Sequence, residues 1–163
     1  FRSYAALKSD FENIRNYRKE LVMSNVTPKW IPRSYPRIAD EKNAIERYKL
    51  ALLNAVLTSS HDSTKAMISL KIAWMFRLLN DNVSEMSFLR QALEGFRNAY
   101  QNEPFPIYGL QRDSLTYLIG DLNRRAGNED EALLWLSKTI VNTNASHRVK
   151  EMARTIKDLI KNK

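Results

Sequence analysis

The sequence contains no cysteine and only two histidines, His61 and His147. Disulfides and thiolate metal sites are therefore excluded within these residues, and a histidine-based zinc site lacks ligands. Glycine occurs four times and proline five, with three of the prolines between Pro28 and Pro36. Outside that stretch the chain is nearly free of helix breakers, which favours long helices. No apolar run approaches the roughly 18 residues of a membrane span, and no signal-peptide pattern opens the chain. A soluble, intracellular and cytoplasmic protein is expected. The sequence opens on Phe1 rather than methionine, as a fragment or a processed product would, and a preceding segment could supply a metal site or an activity absent here.

What is present is apolar content and positive charge. With 163 residues, 44% of them hydrophobic, one well-packed domain is expected. The net charge is +8, and from His147 to Lys163 six Lys or Arg face two acids. This basic patch comprises Arg148, Lys150, Arg154, Lys157 and Lys161. Such a surface suits anionic partners and equally serves solubility, the reading given more weight.

Apolar periodicity predicts seven helices. The first runs over 4–23 on the stripe Leu7, Phe11, Ile14, Tyr17 and Leu21. Prolines at every fourth position of 24–39 then forbid helix and predict an extended connector, which Trp30, Ile31 and Tyr35 would hold against a surface. Residues 1–39 thus form an N-terminal helix and proline-rich connector, and 40–163 a helical domain. Asp40 is expected to cap a helix over 40–58 that buries Ala44, Ile45, Tyr48, Ala51, Leu52 and Val56. A third helix, 63–80, begins at capping candidates Asp62 and Ser63 and is apolar almost all round, which implies burial between neighbours. The fourth reaches about Asn102, where EPFPIYG ends it. The fifth and sixth, 112–126 and 129–141, are separated by Gly127-Asn128. The seventh, 146–162, turns Val149, Met152, Ala153, Ile156, Leu159 and Ile160 inward as a closing cap.

Residues 117–140, YLIGDLNRRAGNEDEALLWLSKTI, resemble a tetratricopeptide repeat. Ile119 and Gly120 take the leucine-glycine places, Gly127-Asn128 the turn, and Glu131, Ala132, Leu136, Thr139 and Ile140 the second helix. Asn123 stands where the family usually has tyrosine and Thr139 where it has alanine. Gly120 and Ala132 are then the close-contact pair of the two helices. A second copy places Ile72, Ala73 and Phe76 on a first helix and Leu89, Ala92 and Leu93 on a second, with Glu85 in the usual alanine place. It lies 47 residues upstream, against a standard period of about 34. AIERYKLALL, through Ala44, Tyr48, Ala51 and Leu52, is a half copy. The resemblance implies an all-α, right-handed, tetratricopeptide-like array that ends in a capping helix.

AWMFRLLND, EPFPIYG and YLIGDLNRRAGNEDEAL together resemble the helical part of a bacterial family of unknown function. Members of that family have a cysteine-rich, zinc-binding segment before their helices, ending in a CGYAAF-like stretch similar to RSYAAL at 2–7. The cysteine and glycine of that motif are absent here, so no metal site is carried over. The family implies a bacterial, cytoplasmic setting and no activity.

No nucleophile with a base, paired carboxylates or metal cluster emerges, and no cofactor is implied. His61 beside Asp62 and Ser63 reads as helix capping, because sequence neighbours do not generally converge on one substrate atom. His147 could cap in the same way. Binding is the expected role, through the concave face that such arrays line with the first helix of each pair. Lys71, Trp74 and Arg77 share one helical face, and Tyr117, Asp121, Arg124 and Arg125 another. The expected partner is a protein or peptide, acidic or helical, gripped by arginine forks and aromatic anchors. Nucleic acid or another phosphate-rich ligand on the basic surface is the alternative. Homo-oligomerisation through the first helix and the connector is a third reading.

Overall fold

A computed structural model of the chain describes residues 4–11, 14, 16–34 and 40–162. Among them there is no strand. After one helical turn, Lys8–Phe11, come seven helices: α1 Asn16–Asn25, α2 Glu41–Leu57, α3 Asp62–Leu78, α4 Asn82–Asn102, α5 Arg112–Arg125, α6 Glu129–Val141 and α7 His147–Lys161. The chain divides into two compact units, Phe1–Ala92 and Leu93–Lys163, with the boundary inside α4.

In the first unit α1 packs on α2, and α2 on α3. Helix α2 starts where the Asp40 carboxylate accepts the Asn43 amide at 2.8 Å, satisfying one of the amides that a helix start leaves unpaired. Helices α2 and α3 both end with a residue in the left-handed region, Ser59 at φ 49° and Asn80 at φ 56°. The closing amides reach back five residues, Ser60 to the Ala55 carbonyl and Asp81 to that of Phe76, at 2.9 and 3.0 Å. This bonding meets the last orphan carbonyls and stops the helix.

Several expectations give way here. The first helix is not continuous: Tyr4–Leu7 and Ile14 are outside helices, and residues 12, 13 and 15 lie outside the described ones. The buried apolar groups of this segment are Tyr4, Leu7, Val22 and Val26, whereas Phe11 and Tyr17 are exposed. Burial of those four outweighs the one-face stripe that a single helix would have presented. The proline segment holds a short 3-10 turn, Thr27–Lys29, because proline is tolerated in the first turn of a helix; its Tyr35 and Pro36 lie outside the described residues. On α2 the buried residues are Ile45, Leu50, Ala51, Asn54 and Ala55, and Val56 faces out. His61 occupies the N-cap position of α3 without a capping side-chain bond. Asp62 instead pairs with Lys65 at 2.7 Å, and Ser63 is buried.

In the second unit α5, α6 and α7 pack mutually. Gly127 ends α5 at φ 83°, a conformation that costs other residues about 1–2 kcal/mol, and the Asn128 amide closes onto the Asn123 carbonyl at 2.9 Å. Gly120 is the point of close approach: a β-carbon added there would lie 2.9 Å from both Cγ and Cδ2 of Leu136 on α6. Two buried polar side chains of this unit are satisfied locally. Buried Asn123 donates to the Ile119 carbonyl at 2.9 Å, and buried Thr139 to that of Trp135 at 3.0 Å. Such bonding removes the cost of burying an unpaired polar group. Ser146, not His147, caps α7, its hydroxyl accepting the Val149 amide at 3.3 Å. Ala153 and Ile160 of α7 close on Ala132 and Leu136. Met152 and Leu159, expected inward, are exposed, because Ala153, Ile156 and Ile160 already fill the face toward α6.

Candidate functional site

The residues expected to line a groove fall into both units, and each set is described within its own unit. On α3, Trp74 is 42% exposed and Leu78, four residues on and on the same face, 61%. The Lys71 ammonium stands 5.7 Å from the Trp74 ring centroid, over its electron-rich face. Leu79 and Val83 are also exposed, so the end of α3 and the start of α4 leave apolar side chains uncovered. Arg77 is engaged: its Nε and Nη2 both donate to Glu85 Oε1, at 2.7 and 2.5 Å. Glu85 thereby anchors the start of α4 to α3. Nearby, the stacked rings of Phe76 and Phe88, 5.6 Å apart, have the Lys49 ammonium over them at 5.3 and 5.8 Å.

On α5, Asp121 gathers two of the expected groove arginines. Arg124 Nη2 donates to Oδ1 and Arg125 Nε to Oδ2, each at 2.7 Å. The three side chains together have one net positive charge rather than two free guanidiniums. Tyr117 packs against the cluster of Ala132, Leu136, Ala153 and Ile160. Its burial, followed by the charge of Asp121, raises its pKa above 10.0.

The basic residues of α7 are partly committed. Lys157 donates to the Ser137 hydroxyl at 2.9 Å, and Arg154 pairs with Glu151. Arg148 and Lys161 are exposed, and Lys150 is half-buried. Among the described residues no three His, Cys, Asp or Glu side chains stand close enough to hold a metal ion.

A second constellation was not singled out in the sequence. At the C-terminal end of α4 the Tyr100 ring meets Phe105 and Trp135 edge-on, with centroids 5.7 and 5.1 Å away. Arg112 lies 4.3 Å from the Phe105 centroid and 5.2 Å from that of Tyr100, while the Lys138 ammonium lies 4.6 Å from Tyr100 and 5.0 Å from Trp135. Phe105 is brought in by the PFPIYG loop. There Ile107 and Leu110 exchange backbone bonds around Tyr108 and Gly109, both at positive φ, the signature of a two-residue type I′ turn. The available signal was the aromatic density of this loop beside a basic helix start, a pattern that lies on no single helical face.

The environment of Tyr100 has a measurable consequence. Burial pushes its pKa up, but Lys138 and Arg112, reaching its hydroxyl as donors and as charges, outweigh burial and hold it below 10.0. The folded state therefore favours the tyrosinate, and this contribution to stability is full only above the unfolded pKa and is lost as pH falls through the folded one. In an alkaline titration followed by tyrosinate absorbance, Tyr100 is expected to ionise early and Tyr117 late. Tyr100→Phe should remove the early step; an unchanged first step would contradict this assignment.

Among the described residues no helix is long and apolar enough to cross a membrane. No curated protein and no solved structure matches the chain. A family model does match, over residues 3–160, nearly the whole length of the chain. The chain belongs to the family described as "Uncharacterized protein conserved in bacteria (DUF2225)".

Proposed function

We propose that this chain is a binding module, not an enzyme, and that it takes an acidic peptide or partner helix on the α3 face formed by Lys71, Trp74 and Leu78. The observation that carries this reading is the exposure of Trp74 and Leu78 on one helical face beside an ammonium group. An uncovered indole and leucine are costly to leave in water, and tryptophan is the side chain most enriched at binding hot spots. A helix laid along such a face is read by anchors spaced three, four and seven apart, the spacing of Lys71, Trp74 and Leu78. The close approach of Gly120 to Leu136 and the tie between Arg77 and Glu85 support reading both helix pairs as tetratricopeptide-like, with the proline segment as a connector.

Affinity capture from the native bacterial cell, with wild type beside two variants, tests the proposal. Trp74→Ala is expected to abolish recovery of a protein partner, because loss of a hot-spot anchor costs about 2 kcal/mol or more, roughly thirtyfold. Neutralising Lys150, Arg154, Lys157 and Lys161 together should leave recovery intact. Recovery of nucleic acid that survives Trp74→Ala, is lost with the lysine and arginine changes and falls steeply with salt would overturn the peptide reading in favour of phosphate binding.

A further inference from the structure

Among the described residues of the second unit, ion pairs join Arg97 to Glu131, Arg124 and Arg125 to Asp121, and Arg154 to Glu151. Arg112 and Lys138 belong to none of them, and both are exposed. Each lies instead beside the same ring, that of Tyr100, at 5.2 and 4.6 Å. Two cations held beside one ring repel one another; a dianion placed between them neutralises both charges, where a monoanion leaves one net positive charge.

We propose that Arg112, Lys138 and the Tyr100 hydroxyl bind the phosphate group of a phosphate monoester. The Arg112 guanidinium carbon lies over the Phe105 ring, 4.3 Å from its centroid, and the group has more N–H donors than the Tyr100 hydroxyl takes; its planar fork is what makes arginine a preferred phosphate ligand. Lys138 supplies a second, mobile charge, and the Tyr100 hydroxyl a third donor. The lowered pKa of that phenol reports the same positive field. Arg112 also lines a cleft of about 420 Å³ with Gln111, Asp113, Asn142, Asn144 and Ser146. Its amides and hydroxyl suit a hydroxylated alcohol portion, such as a sugar, on the far side of the ester. Asp113, the one acid there, is occupied in accepting the Ser146 amide at 3.2 Å. The site lies wholly in the second unit and is independent of the α3 face.

The test is a titration of the intact chain at constant ionic strength with inorganic phosphate and with ribose 5-phosphate, read by proton–nitrogen correlation spectra at the Trp135 indole and the amides of 110–113. Saturable shifts are expected, with the ester binding more tightly than phosphate and acetate producing none. Arg112→Gln and Lys138→Gln should each weaken binding about tenfold or more. Lys138→Arg, which keeps the charge, should bind nearly as wild type and guards against a folding defect in the neutral variants. Shifts that fail to saturate, that acetate reproduces, or that both neutral variants retain while folded would overturn the proposal.

Discussion

Gly120→Ala is expected to lower the stability of the second unit by about 1–2 kcal/mol, although alanine in place of glycine within a helix ordinarily gains about 1 kcal/mol. The new β-carbon would meet Leu136 at Cγ and Cδ2, each 2.9 Å away, and the Leu136 amide nitrogen at 3.3 Å. Real contacts of this kind are not that short, so α5 and α6 must separate or Leu136 must leave its rotamer. Leu136 is fully buried, and its truncation to alanine alone should cost about 2–5 kcal/mol. The pair is therefore suited to a double-mutant cycle. Once Leu136 is alanine the contacts with Cγ and Cδ2 are gone, only the 3.3 Å approach to the amide nitrogen remains, and Gly120→Ala should cost much less than in the wild type. Denaturant unfolding followed by Trp135 fluorescence, in a background with Trp30 and Trp74 replaced by Phe, reads the second unit, since the chain has three tryptophans. Additive effects of the two substitutions would show that the close contact does not govern the approach of these helices.

Phe96→Ala is expected to cost about 3–5 kcal/mol. Phe96 on α4 has no exposure and is the largest of the fully buried side chains in the described residues. Neighbouring Ala99 is equally buried and too small to fill the space, so a cavity would remain where the ring had been. The contrast with Leu78→Ala is instructive. Leucine there is 61% exposed, and its removal should change stability by no more than about 0.5 kcal/mol. The same fluorescence-detected unfolding, with α3 variants followed through Trp74, measures both. A small effect at Phe96 would mean that the packing around it relaxes into the space.

The helix ends were legible because they are decided locally. Asp40 caps α2, Asn80 closes α3 and Gly127 closes α5, each through bonds to backbone a few residues away. The close approach at Gly120 was legible from the glycine itself, but the nearest atoms across it belong to Leu136 and not to the expected Ala132. Failures came where a face had to choose between neighbours. The breadth of apolar residues on α3 implied burial all round, yet Leu78 and Leu79 are uncovered, since periodicity states that a residue is apolar and not that a surface is available to meet it. The discontinuous first helix has the same origin.

Side-chain commitments were further out of reach. Arg77, Arg124 and Arg125 read as groove cations, but each has a carboxylate within three to eight residues, brought to 2.5–2.7 Å by helix geometry within α5 and, for Arg77, by the turn between α3 and α4. The cluster of Tyr100, Phe105, Arg112, Trp135 and Lys138 draws on α4, its following loop, α5 and α6. No spacing rule links positions that meet only after these elements pack. The sequence by itself determined that this chain is helical, where its helices stop and where two of them touch, because propensity, capping and steric size act over one or two turns. Only the tertiary structure decided which side chains meet across elements, as Arg97 meets Glu131 and as Arg112 and Lys138 meet Tyr100, because those contacts join residues that the chain order holds apart.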